Sequence, residues 1–132
     1  MSVGPFIVSV DCEAAVRDAL LASLPLLGED VKVCVRIPAT RPAEFLHILL
    51  AGGPRETLVT DAFRVIVEAW AQDEPRAAEL LNRARAILFA QQGPTLFGVV
   101  EYAGPANLPD PTSDQVRYTA SMTVRARATQ TA

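Results

Sequence analysis

The clearest regularity lies near the end of the chain, where Val116, Tyr118, Ala120, Met122, Val124 and Ala126 alternate with Arg117, Thr119, Ser121, Thr123, Arg125 and Arg127. A period of two puts the two sets on opposite faces of an extended strand, one apolar and one wet. Val31, Val33, Val35 and Ile37 alternate with Lys32, Cys34 and Arg36 in the same way. Glu44–Leu50, with Leu46, Ile48 and Leu50 sharing a buried side, and Phe63–Trp70, rich in β-branched and aromatic residues, predict two further strands. Leu96–Tyr102 predicts another.

Helical spacing appears twice. Val16, Leu20, Leu24 and Leu27 follow Asp11, a good N-cap, and Pro25 and Gly28 end the helix. Asp73 caps a second helix with Pro75 in its first turn. There Leu80, Leu81, Ala84, Ile87, Leu88 and Gln91 trace one face, Glu79 and Arg83 sit four apart on the other, and Gly93–Pro94 stops it. The order helix, three strands, helix, two strands predicts an α+β single-domain sandwich spanning residues 1–132, with about five mostly antiparallel strands and two helices packed on one face. Loose ends are expected at 1–5 and 129–132.

Two polar segments stand between these elements. Gly52 and Gly53 accept positive φ and Pro54 fixes the exit direction, so a loop through Asp61 is aimed outward with Arg55, Glu56, Thr57 and Asp61 on display. A Pro-rich loop runs from Gly104 to Asp114.

Half the residues are apolar and the formal charge is −3, which fits a globular chain with no overall attraction to phosphate backbones. Cys12 and Cys34 lie far apart without metal-ligand spacing and read as buried thiols in a reducing compartment. Ala19–Leu27, the longest apolar run, is broken by Ser23 and Pro25 and falls short of the roughly 20 residues of a membrane span. No export signal opens the chain, so manufacture in the cytoplasm is expected.

The candidate chemistry is sparse. His47, between Leu46 and Ile48, reads as a tolerated strand residue rather than a base. Gly52–Arg55 reads as a strand-ending turn before an anion nest. Asp110, Ser113, Asp114 and Glu101 offer hard oxygens but lack the spacing of a calcium loop. Trp70, at a strand end, reads as core, with an interface anchor as the alternative. No cofactor, metal or enzymatic activity is expected.

Three segments, GGPRETLVTDAFRVIVEAWA from Gly52, DEPRAAELLNRARAIL from Asp73 and EYAGPANLPDPTSDQVRYTASMTVRAR from Glu101, together resemble the tail terminator proteins of long-tailed bacteriophages. The resemblance covers approximately Val31 to Arg127 and is one of pattern, because none of these segments carries a chemical signature. It implies a structural virion protein at the tail–neck junction: a homo-oligomer, expected as a hexameric ring, at the head-proximal end of the tail tube. The ring would end polymerisation of the major tail tube protein and present a docking surface to the head–tail connector or stopper. Genomic DNA would pass through its lumen only as cargo, and no membrane is involved. A ring contact between unlike patches needs two surfaces per subunit. The candidates are Arg55, Glu56 and Asp61 on the Pro54–Asp61 loop and Arg117, Arg125 and Arg127 on the last strand, with Asn107 and Asp110 of the Gly104–Asp114 loop facing tube or connector. Two alternatives stay open: another neck component, such as an adaptor or stopper, and a small ligand-binding or enzyme domain using His47 or Asp110.

Overall fold

The computed structural model describes residues 6–113 and 115–130. Its elements run β1 (Ile7–Val8), α1 (Cys12–Ser23), a 3-10 turn (Leu24–Leu27), β2 (Lys32–Cys34), β3 (Phe45–Leu50), β4 (Arg55–Thr57), β5 (Thr60–Ala71), α2 (Glu74–Phe89), β6 (Leu96–Asn107), β7 (Val116–Arg127) and β8 (Thr129–Gln130). This is the expected α+β architecture. Six strands form one sheet in the order β2-β3-β5-β7-β6, with β4 joined to the start of β5. Every pairing in it is antiparallel except β2 with β3.

Both helices begin where a carboxylate meets free backbone N–H groups. Asp11 accepts from the amide of Ala14, and Asp73 accepts from that of Arg76. Gly28 ends the 3-10 turn at φ 75°, in the left-handed region that glycine enters without steric cost. Val16, Leu20, Leu80, Leu81, Ala84 and Leu88 of the helices close over Leu46, Ile48, Val65, Val67, Met122 and Val124 of the sheet, forming the main core. Each such side chain, taken out of water, contributes about 1.5–3 kcal/mol. Glu13 of α1 accepts from the amide of Leu50, tying the first helix to the end of β3.

Glu29 is buried where the 3-10 turn meets α2. Arg76 donates to both of its oxygens at 2.7 and 2.9 Å, and Arg83 donates to it at 2.8 Å. The Arg76 contacts, ahead of those from Arg83, hold the Glu29 carboxyl below its ordinary range. Arg76 also donates to Glu44 and Glu79, so one guanidinium links α2, the 3-10 turn and the approach to β3. The expected Glu79–Arg83 pair therefore gives way to Arg76–Glu79 and Arg83–Glu29, because both arginines turn toward the buried acid.

Several boundaries differ from expectation. The strand expected from Val31 is only Lys32–Cys34. Leu50, expected inside, is 40% exposed. The loop expected after Gly52 continues the sheet: the amide of Ala51 donates to Arg64, that of Arg64 to Gly52 and that of Ala62 to Pro54, leading into β4. β6 runs on through Gly104 and Pro105 to Asn107, where a loop was expected; as an edge strand paired only with β7 it tolerates the missing proline N–H. At the tail, Thr129 and Gln130 pair with Val8 and Ile7 rather than hanging loose. Residues 1–5 and 131–132 of the expected loose ends, and Asp114 of the weighed calcium loop, lie outside the described residues.

Candidate interaction surface

The strands show their other side chains on the face away from the helices. On β5 these are Ala62, Arg64, Ile66, Glu68 and Trp70; on β7 they are Arg117, Thr119, Ser121, Thr123 and Arg125. Most of this face is half-buried rather than wet, because long side chains lie across it. Arg64 stacks over the Tyr102 ring at 3.6 Å from its centroid, spanning the sheet to the edge strand.

The face divides into two groups at opposite ends of β7. At the Val116 end, Trp70 is 2% exposed and stacks on Phe45 with ring centroids 5.3 Å apart. Cys34 and Ile37 complete this small second cluster, so Trp70 is buried, but apart from the main core. The guanidinium groups of Arg41 and Arg117 lie 5.1 and 5.4 Å from the Trp70 centroid. Arg117 also approaches Glu68 at 3.5 Å, and the other oxygen of Glu68 lies 2.8 Å from His47 Nδ1. His47, expected as a tolerated face residue, is thus a buried member of a His–Glu–Arg row. Asp110 is buried as well: it accepts from the Ser113 hydroxyl, from Arg41 at 3.0 Å and from the amides of Thr112 and Ser113. The Ser113 contact first, and then Arg41, hold its carboxyl at about 2. Asn107 ends β6 opposite Tyr118, exposed. Arg117 further donates to the carbonyl of Leu108, so the loop after β6 is clamped to β7 and to the segment carrying Arg41.

At the Arg127 end, β4 and the start of β5 form a projecting hairpin. Gly52 and Gly53 enter it at φ 92° and 127°, and a Cβ on Gly53 would stand 2.1 Å from the carbonyl oxygen of Ala62. The glycine pair is therefore required by both backbone angle and space. Arg55 and Asp61, expected to stand outward together, lie instead on the helix side of the sheet, with Asp61 opposite Ala126; they face each other across the hairpin at 3.8 Å, and Asp61 is 5% exposed. Arg55 also donates to the carbonyl of Ile7 and the hydroxyl of Ser9, holding the N-terminal segment. Glu56 does stand out, and Arg125 donates to both its oxygens at 2.8 and 3.2 Å, which lowers the Glu56 carboxyl below its ordinary range. Arg127 is exposed and lies over the Phe97 ring at 5.1 Å.

The expected residues are thus brought together in part. Arg55, Glu56, Asp61, Arg125 and Arg127 gather at one end of β7; Asn107, Asp110 and Arg117 gather at the other. Sequence reasoning passed over Arg41, Arg64, Glu68 and Tyr102; the last three lie within the segments that carry the resemblance, but no spacing marks them out. It also passed over Leu58 and Val59, the turn of the β4–β5 hairpin, 70% and 45% exposed. Two adjacent aliphatic residues where hairpins favour Asn-Gly were the available signal. Val100, Tyr102 and Leu108 add exposed apolar surface along β6 and just beyond it. Both cysteines are buried free thiols, and burial pushes the Cys12 thiol up to about 12. No helix among the described residues is long and apolar enough to cross a membrane. No protein-family model matches the chain, and neither does any curated protein.

Proposed function

We propose that this chain is a structural subunit of the bacteriophage tail neck, assembling into a ring on the head-proximal end of the tail tube. The ring ends tube growth and offers the head connector its docking surface. The observation that carries this reading is the pair of projections at the edges of the sheet. The β4–β5 hairpin and the outer half of β6 extend beyond the helix-covered core, expose Leu58, Val59, Val100 and Tyr102, and are braced within the chain, the hairpin by ion pairs and β6 by Arg64 over the Tyr102 ring. Surface held rigid while showing apolar side chains is suited to a permanent partner, since little ordering entropy remains to be lost on contact. The resemblance of the Gly52–Ala71, Asp73–Leu88 and Glu101–Arg127 stretches names that partner class: copies of the chain, the major tail tube protein and the connector. Six copies, a virion location and DNA passing through the lumen come with the same resemblance.

Catalysis is not part of this proposal. Of the residues an enzymatic alternative would use, His47 holds Glu68 through Nδ1 and Asp110 holds Ser113 and Arg41, and neither lines the surface clefts beside α1, α2 and β2. The reading is tested by mixing the purified chain with preformed tail tubes and imaging them in negative stain. A cap of density at one end of each tube is expected. A chain that leaves both ends bare overturns the proposal.

A further inference from the structure

The turn of the β4–β5 hairpin is closed by the Thr57–Thr60 pair and consists of Leu58 and Val59 alone. It is fixed from two sides: the amide of Val59 donates to the Thr57 hydroxyl at 3.3 Å, and its carbonyl accepts from Ala128 at 2.8 Å. Leu58 is 70% exposed on this fixed turn, so the chain carries an apolar knob at the Arg127 end of the sheet.

A matching recess lies on the helix layer. Where α1 passes into the 3-10 turn beside the second half of α2, Leu26, Leu27, Ala86, Ile87 and Ala90 line a cleft of about 240 Å³. Its rim is strongly apolar, with Leu26 83% exposed and Leu27 42% exposed. No charged residue occurs from Ala19 to Gly28 or from Ile87 to Val100, the two stretches that build most of it.

The flanks carry charge, and at the recess this includes the Arg83 guanidinium, which donates to the Leu27 carbonyl and to Glu29. Two side chains cover far less than the roughly 800 Å² per partner of a stable interface, so neighbours of knob and recess must meet as well. Beside the knob stands Arg127, in register with Thr60, exposed and in no ion pair among the described residues. Beside the recess, α2 ends with no basic residue in its last turn, so the negative end of its dipole meets the neutral Gln91 side chain, which donates to the Ile87 carbonyl, and no cation of that turn. The adjoining cleft, which shares Gln91, carries Asp18, whose side chain is 70% exposed and paired with its neighbour Arg17 at 3.4 Å, an exposed contact of little energy.

We infer that the Leu58–Val59 turn of one copy seats in the Leu26–Ile87 recess of a second copy, with Arg127 toward Asp18 and the end of α2. Knob and recess are different patches of one chain, so where a pair of copies makes this contact once the arrangement is head-to-tail, and each subunit keeps one of each for its neighbours. This rests on reading the chain as an assembling subunit, and it needs no tube or connector.

The test uses Leu58→Asp and Leu26→Asp, both at exposed positions, with unchanged circular dichroism as the check on folding. Mass is followed by light scattering across a concentration series. The wild type is expected to form multiples of the monomer, and each variant alone to associate at least about tenfold more weakly, the scale of one lost side-chain burial carrying a new charge. An equimolar mixture is expected to stop at dimers, because one variant supplies the only intact knob and the other the only intact recess. Variants that assemble like the wild type, or a mixture that stays monomeric, overturn the contact. A wild type that is monomeric alone yet caps tubes also overturns it and leaves the neck reading standing; assembly through this contact without any tube binding does the reverse.

Discussion

The two faces of one sheet are built by opposite means. Toward the helices, Val65, Val67, Met122 and Val124 meet a closed aliphatic layer. Toward the other side, the alternate residues of the same strands form the His47–Glu68–Arg117 row, the Trp70 stack and the Arg64–Tyr102 bridge. The first face earns its stability from volume removed from water. The second uses charge and ring contacts to fix the position of the Arg41 segment, the loop after β6 and the projecting hairpin. Stability and presentation are therefore separable along a single strand, one residue apart.

That separation can be broken most forcefully from the covered side. Leu80→Ala opens a cavity at a fully buried site and is expected to cost about 2–5 kcal/mol in urea unfolding, melting both faces together. Gly53→Ala forces a side chain into φ 127° and against the Ala62 carbonyl, so about 1–3 kcal/mol is expected. Its damage should center on the hairpin, visible as faster amide exchange at Arg55–Asp61 than in α2.

Acid sharpens the contrast on the open side. The folded Asp110 carboxyl titrates at about 2, below the roughly 3.9 of an unfolded aspartate, so its contribution is complete above that unfolded value. It is lost as pH falls through the folded value. Because Arg41 links Asp110 to Trp70, the single tryptophan, its fluorescence should change between about pH 4 and 2 in the wild type and lose that step in Asp110→Asn. The smallest effect is expected from Arg125→Ala. Its partner Glu56 is exposed, so loss of the pair should leave the midpoint of the same urea assay almost unchanged.

Much of the covered face could be read in advance. The alternation in β7, the caps Asp11 and Asp73 and the Gly52–Gly53 pair each report local backbone chemistry that tertiary contacts leave alone. The open face was harder to read because its side chains acquire meaning only across strands. Glu68 looks like one more surface acid until β3 and β7 bring His47 and Arg117 to it. On the covered side, Asp61 looks outward until β5 places it opposite Ala126 and against Arg55. β3 is buried on both faces, since Phe45 and His47 are covered along with Leu46 and Ile48, and this blurs the period of two. The apolar hairpin turn carries none of the glycine or asparagine that marks such turns.

The central claim, that this braced and partly apolar exterior ends a growing tube, is tested most directly by tube length. Tail tube protein polymerising with increasing amounts of the chain should give tubes that stop growing at one end, with mean length falling as the chain is added. Tubes whose length distribution is unchanged at a molar excess of folded chain would contradict the account.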